Sequence, residues 1–283
     1  MPELPEVETI VRSLKNGARH GGLTAIGQKV RDAQILWNRT IAEPSISQFN
    51  KRIIDQTIEA VARRGKFLVF TLSEDTLLMH LRMSGDLRVE KSVDGNGKAI
   101  PVHKHDRLVL RFESSLRLAF NNPRKFGRVW LLKNPQKVLS LLGPEPMDAA
   151  LTGERFHVML QGRKRQLKPL LMDQHFLAGI GNIYADEALF RASLHPRSGS
   201  NTLTKSQSIN LLKQIRRVLE QGIRRNGASI DWVYRGGDFQ NDFKVYGRAG
   251  EPCPRCGVAI QRIVVSQRGT HICPHCQTNN ARC

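Results

Sequence analysis

With 283 residues, 40% of them hydrophobic and 24% charged, the chain has an ordinary soluble globular composition. Its length predicts two domains and a small appendage. Its 44 Lys and Arg against 25 Asp and Glu leave a formal charge of +19, a field that attracts polyanions, of which nucleic acid is the commonest in a cell. No run approaches the ~18 apolar residues of a membrane span, and the acidic start lacks the basic and apolar regions of a signal peptide. The expectation is a cytoplasmic protein whose five cysteines serve as metal ligands or free thiols rather than disulfides.

The chain opens MPELPEVETI, with Leu4, Val7, Ile10, Val11 and Leu14 at the spacing of one helix face over residues 4–15. Pro5 suits the first turn, where its missing N–H costs nothing, and Gly17, Gly21 and Gly22 end the helix. From about 23 to 133 the pattern becomes short strands: KFLVFTL (66–72), TLLMHL (76–81), RLVLRF (107–112), LRLAF (116–120) and RVWLL (128–132). The turn Asp94-Gly95-Asn96-Gly97 punctuates them. Strands so spaced predict a sandwich or barrel rather than parallel βαβ units. The Pro-rich stretch 134–148 reads as a linker, and the chain then turns helical. Over 205–225, Ile209, Leu212, Ile215, Leu219 and Ile223 form one face, and Lys213, Arg216, Arg217, Arg224 and Arg225 a basic one.

The C-terminal stretch CPRCGVAIQRIVVSQRGTHICPHC carries Cys253-x-x-Cys256 and Cys273-x-x-Cys276 with sixteen residues between. Each CxxC turn presents two thiolates to one tetrahedral ion, so the spacing reads as a single structural Zn²⁺ with no open coordination position. The alternative is a pair of redox or incidental turns. Ile260, Ile263, Val264 and Val265 predict a hairpin between the pairs, with Arg268-Gly269 near its tip and Arg268 turned toward a phosphate. Cys283 is left without a role. A zinc ribbon alone specifies no function.

AGIGNIYADE (178–187) lacks the third glycine of a dinucleotide fingerprint. It reads as a tight turn opening a helix, either a plain connection or one whose N–H groups and Asn182 meet a phosphate. NNPRKFGR (121–128) places Arg124 and Phe126 on a turn, suited to a base stack or to a core Phe with a solvated Arg. HLRMSG (80–85) offers Met83 before a glycine, and GRKRQLK (162–168) is the kind of basic run that is usually a solvated face. The sequence holds no HExxH, GxSxG, P-loop or zinc-deaminase pattern.

Together these segments resemble the bacterial formamidopyrimidine-DNA glycosylase family, which removes oxidised purines such as 8-oxoguanine from DNA. The resemblance runs from Pro2 to Cys276 through PELPEVET, RRGKFLVF, HLRMSG, NNPRKFG, LGPEP, LMDQHFLAGIGNIYADE, VYGRAGEPCPRCG and QRGTHICPHC. PELPE matches this branch rather than endonuclease VIII, which typically begins with glycine in place of Leu4. The implied fold is α+β and multidomain. It comprises an N-terminal helix with a two-sheet β-sandwich (1–133), a linker (134–150), a helix-two-turn-helix domain (151–245) and a four-cysteine zinc ribbon (246–283), with a basic cleft between the halves.

The resemblance also implies roles. Met1 is removed and the secondary amine of Pro2 attacks C1′ of the damaged nucleotide to form a Schiff base. A terminal amine with a pKa near ~8 supplies far more free base at neutral pH than a lysine. Glu3 matches the acid/base residue, Glu6 a second carboxylate one turn on, and Lys66 the proton donor in β-elimination. Arg268 matches the arginine that grips the flanking phosphates and is linked to δ-elimination. Asn182, His105, Arg124 and Arg163 match DNA contacts, and Met83, Arg124 and Phe126 a triad that fills the space of the extruded nucleotide. Lys125 stands where some relatives carry Arg, and the loop YRGGDFQNDFK (234–244), which covers the flipped base in the family, is individual here. The expected partner is damaged double-stranded DNA, bound by a monomer with no membrane association. A non-enzymatic zinc-ribbon binder would explain the charge and the cysteines and leave Pro2, Glu3 and Lys66 without purpose. An endonuclease VIII-like enzyme would share the lyase chemistry and differ in lesion range.

Overall fold

The computed structural model describes residues 1–229 and 236–278. Cys283 and the start of the 234–244 loop lie outside the described residues. The chain divides into two compact units, Met1–Ser140 with Ala228–Gly237, and Leu141–Gly227 with Asp238–Cys283. Among the described residues no helix is long and apolar enough to cross a membrane.

The first unit begins with helix α1 (Leu4–Asn16), whose apolar stripe of Leu4, Val7, Ile10, Val11 and Leu14 is fully or almost fully buried. Gly17 (φ 72°) ends it in the left-handed conformation, its N–H donating to Ser13 O. Nine strands follow: β1 (Val30–Ile35), β2 (Ile41–Glu43), β3 (Ile58–Arg64), β4 (Phe67–Leu72), β5 (Thr76–His80), β6 (Asp86–Lys91), β7 (Asp106–Phe112), β8 (Leu116–Asn121) and β9 (Arg128–Leu132). They form two sheets, β1-β7-β8-β6 and β2-β9-β5-β4-β3, antiparallel throughout except for the β2–β9 pair.

One buried cluster joins α1 to side chains of both sheets, including Leu68, Phe70, Leu77 and Met79 from one and Leu108, Leu110, Phe112, Leu118 and Phe120 from the other. Of the two strand architectures that the sequence left open, the structure is therefore the sandwich. Helix α2 (Ile46–Ile53) interrupts the region that the sequence reads as strands only. Ser45 caps it by accepting from Gln48 N–H, and Phe49 and Ile53 anchor it in the core. A short helix α3 (Gln136–Leu139) closes the unit.

The second unit packs helices α4 (Gly153–Gln161), α5 (Leu167–Leu171), α6 (Asn182–Arg191) and α7 (Lys205–Arg224) with a hairpin of β10 (Gln261–Val265) and β11 (Arg268–Ile272). Helix α7 buries Leu211, Leu212, Ile215, Val218 and Leu219. Thr204 and Gln207 close its start as a capping box. The hairpin reverses at Ser266 and Gln267 (φ 45° and 62°), one step before the Arg268-Gly269 position that the sequence places near the tip. Two consecutive left-handed residues are what a two-residue primed turn demands, and here neither is glycine.

Candidate functional site

Helix α1 carries its carboxylates at its start, where exposed N–H groups and the helix dipole favour negative charge. Pro2, Glu3 and Glu6 are all buried. Glu6 Oε2 accepts from Glu3 N–H at 2.8 Å, and its Oε1 accepts from Ala228 N–H at 2.8 Å. One side chain thus fixes the residue that follows Pro2 and pulls residue 228 onto the tip of α1, 222 positions along the chain.

Lys66 lies in the two-residue reversal between β3 and β4, where Gly65 takes φ 57°. Its side chain belongs to the interior, at 3% exposure, so it is not one of the many solvated cations. The reversal is tied to α1. Arg63 donates from Nε to Glu8 at 3.2 Å and from Nη1 to Gly65 O at 3.0 Å. Burial pushes the Glu8 carboxyl up, but Arg12 and Arg63 outweigh it, and the group stays ionised below its ordinary range.

His80, at the end of β5, stands edge-on to the Phe67 ring at 4.8 Å and accepts Arg82 N–H on Nδ1 at 3.0 Å. That acceptor role places its proton on Nε2. Burial first, then Arg82 and Lys66, press its pKa from 6.5 to about 3. His20 is lowered to about 4, again mainly by burial. Both rings fold neutral and take up protons more readily when unfolded. Their contribution to stability is therefore whole above pH 6.5 and is lost as pH falls from 6.5 toward those values. The expected slope is up to about 1.4 kcal/mol per pH unit for His80, and less for half-buried His20. Urea midpoints at pH 7, 6 and 5 should fall steadily, and less so in His80→Asn. An equal fall in that variant would disprove the assignment.

A displayed cluster comes from two loops of the same unit. Met83 follows β5, and Arg124 and Phe126 follow β8; the guanidinium Nη1 of Arg124 meets Met83 Sδ at 3.7 Å. Met83 is 40% exposed and Phe126 55%, which rules out the core-Phe reading. Asn122 locks the two loops together: its Nδ2 donates to Leu81 O at 3.2 Å and its Oδ1 accepts Phe126 N–H at 3.2 Å. Arg124 N–H donates to Ser84 Oγ at 3.3 Å. Gly127 is obligatory here, because a Cβ would lie 2.3 Å from Phe120 Cζ and 2.4 Å from Asn122 Nδ2. Half-buried His105 joins the same loop through its carbonyl, which accepts Asn122 N–H at 2.8 Å. Lys125 (φ 60°) turns its Nζ over the Trp37 ring at 4.1 Å.

In the second unit Asn182 opens α6 directly after Gly181. Its Nδ2 donates to Gly269 O at 3.2 Å, joining the helix start to β11 next to exposed Arg268. Arg163 is exposed beyond the end of α4. The basic run 162–168 is not uniformly a solvated face, because Lys168 is 1% exposed. Its Nζ pairs with Asp186 Oδ1 at 2.6 Å and donates to Thr270 Oγ1 at 2.8 Å and Gly269 O at 3.1 Å. The other Asp186 oxygen accepts His271 N–H at 2.9 Å. A buried ion pair between α5 and α6 therefore sets β11, and with it the backbone that carries Arg268.

Glu187, fully buried, accepts three consecutive N–H groups, from Lys244, Val245 and Tyr246, at 2.9–3.0 Å. The sequence reading missed Asn122, Glu187 and Asp186. The one local signal was two adjacent acids inside an otherwise buried helical pattern.

The sulfurs of Cys253, Cys256, Cys273 and Cys276 all lie within 4.8 Å of one another. Three of the separations are 3.5, 3.5 and 3.9 Å. Four sulfurs about 2.3 Å from one tetrahedral zinc stand about 3.8 Å apart, so the set fits a single structural Zn²⁺. Backbone N–H groups of Arg255 and Cys276 donate to Cys253 Sγ and Cys273 Sγ, each at 3.4 Å, as thiolates require. Arg255 anchors the module. Its guanidinium donates to Phe190 O, Arg191 O and Ser193 Oγ and lies 4.4 Å above the Phe190 ring.

Three family models match successive stretches: the formamidopyrimidine-DNA glycosylase N-terminal domain over residues 1–129, the formamidopyrimidine-DNA glycosylase H2TH domain over 142–233, and a zinc finger found in FPG and IleRS over 250–279. The formamidopyrimidine-DNA glycosylase of Protochlamydia amoebophila is 40% identical over 98% of this chain and 99% of its own. That of Chloroflexus aurantiacus is 42% identical over 98% of each. Among solved structures, wild-type Lactococcus lactis Fpg (MutM), in complex with DNA containing N7-benzyl-Fapy-dG, matches with a TM-score of 0.88 at 36% identity. The match covers 98% of this chain and 100% of that one.

Proposed function

The chain belongs to the formamidopyrimidine-DNA glycosylase family, and from that premise we propose that it excises oxidised purines (8-oxoguanine and formamidopyrimidines) from duplex DNA and cleaves the resulting abasic site. The observation that carries the reading is the start of α1, where Pro2 and Glu3 are both buried and a third buried residue, Glu6, accepts the N–H of Glu3. Once Met1 is removed, the Pro2 nitrogen forms a bond to C1′ as the bond from C1′ to the base breaks. Glu3 carries protons around base loss and sugar-ring opening, which leaves a Schiff base between Pro2 and the sugar. Glu6 places both carboxylate oxygens on backbone N–H groups, so it positions Glu3 rather than reacting.

Lys66 donates a proton during β-elimination, and Arg268 grips the phosphates and serves δ-elimination. Met83, Arg124 and Phe126 occupy the space of the extruded nucleotide. Their exposure costs apolar hydration in the free protein and offsets part of the unstacking cost, a few kcal/mol in general. His105, Arg163 and Asn182 complete the DNA contacts. The four-cysteine zinc holds the ribbon that carries Arg268 and supplies no reactive position. The partner is damaged double-stranded DNA, met by a monomer in the bacterial cytoplasm, and the working division of the chain is 1–133, 134–150, 151–245 and 246–283.

The test is borohydride trapping on a duplex with 8-oxoguanine opposite cytosine. The expected result is a covalent adduct that maps to Pro2. Cleavage without an adduct would replace the imine route by a monofunctional one. Neither cleavage nor adduct, on this duplex and on ring-opened purine and abasic duplexes, would leave a non-enzymatic DNA binder.

A further inference from the structure

A cavity of about 470 Å³ in the second unit is walled by Arg191 at the end of α6, Gln221 and Arg224 in the last turn of α7, Arg225 just beyond it, and Asp242 and Lys244. Four of its six residues are cations, and the two nearest aspartates are both spent on one of them, Arg225. Asp242 is taken by Arg225 Nε at 2.9 Å, and Asp238 by Arg225 Nη1 at 3.2 Å. Glu187 stands 3.9 Å from Arg191, too far for a hydrogen bond, and its oxygens already accept three backbone N–H groups. Among the described residues, Arg224 and Lys244 have no carboxylate within ion-pair distance.

The inner wall carries the strongest sign. Arg191 Nη1 and Gln221 Oε1 are both buried with no hydrogen-bond partner. A buried guanidinium N–H left unmade costs more than a neutral one, so native structures satisfy such groups with protein atoms, ordered water or a bound anion. Turning over the Gln221 amide would present a second donor to the same space. Burial holds Arg191 below its ordinary guanidinium value; Glu187 opposes that, and Arg217 and Arg255 add to it. It stays charged nonetheless, since arginine does not deprotonate in proteins.

We infer that this pocket binds a phosphate-class anion, with Arg191 as the inner fork-shaped donor and Arg224 and Lys244 closing on the outer oxygens. Planar guanidinium forks suit tetrahedral oxyanions, and one lysine adds a point charge without fixing geometry. Arg191, Gln221, Arg224 and Arg225 have no part in the proposed excision chemistry, while Asp242 and Lys244 lie at the end of the 234–244 loop. The phosphate has two possible sources, a free anion or the backbone of bound DNA away from the lesion.

The probes are inorganic pyrophosphate, followed calorimetrically at low chloride, and an undamaged duplex, whose affinity is measured from 50 to 200 mM salt. The proteins are wild type, Arg191→Met, and the surface variants Arg224→Ala and Lys244→Ala, which keep the test decisive if Arg191→Met folds poorly. Pyrophosphate binding that weakens about ten- to hundredfold in the variants, with the salt slope unchanged, identifies a free-anion site. No pyrophosphate binding, with a salt slope shallower by about one per removed cation, identifies a DNA phosphate. Pyrophosphate binding equally strong in all the variants, or no binding with an unchanged slope, would overturn the inference.

Discussion

Protein that keeps one uncleaved residue ahead of Pro2 is expected to bind duplex DNA with undiminished affinity and to form no borohydride adduct. The amide would tie up the only secondary amine that the reading provides, and no nearby lysine replaces it at equal basicity. Buried Glu3 and Glu6 make the effect local: the extra residue disturbs neither the α1 stripe nor the hydrogen bond from Glu3 N–H to Glu6. Glu3→Gln should separate the steps differently. Loss of a positioned acid/base group costs roughly 10²–10⁴ in base removal. On a duplex with a preformed abasic site, where the base is already gone, adduct formation by that variant should persist in part. Equal adduct yields from blocked and unblocked protein would move the nucleophile elsewhere in the chain.

The features legible in the sequence were those in which near neighbours determine the outcome. Helix α1 and strands β4, β5, β7, β8 and β9 agree with their expected ranges to within a residue, because a period of two or 3.6 is written in adjacent positions. The four-cysteine set was equally plain, since each CxxC turn is a local object. Helix α2 was hidden because eight residues with two buried apolar anchors make too short a stripe to stand out among strands.

The partners of buried charges were invisible for a different reason. Lys168 meets the Gly269 carbonyl 101 residues away, and Glu187 meets its three amides across 57 to 59. In sequence Lys168 is the seventh residue of a basic run, and only the tertiary fold distinguishes it from its solvated neighbours. Asn122 is equally inconspicuous in sequence, its value lying in the Leu81 carbonyl 41 positions earlier. Residue types that can do chemistry were thus recognisable in advance, while the residues that hold them in place were not.

That dependence of reactive residues on distant supports predicts the second large effect, from removal of zinc. Chelation, or Cys273→Ser, is expected to unfold the ribbon while leaving the sandwich intact. Structural zinc supplies roughly 10–16 kcal/mol to small modules, more than a short two-stranded hairpin can replace. The ribbon has little apolar core of its own: among the described residues its deeply buried apolar side chains are Ile260, Val265 and Ile272, with Cys253 and Cys273. Once β11 loosens, Lys168 loses Gly269 O and Thr270 Oγ1, and Asp186 loses His271 N–H, which leaves a desolvated ion pair with its supporting hydrogen bonds removed. Arg268 then has no fixed position. DNA affinity should fall steeply, and its salt slope should flatten by about one for each phosphate that the protein no longer grips. Far-ultraviolet circular dichroism should show a small loss, and thermal unfolding should retain the transition of the first unit. Re-addition of Zn²⁺ should restore both binding and slope. Full DNA affinity in metal-stripped protein would show that the ribbon, and Arg268 with it, lies outside the DNA interface.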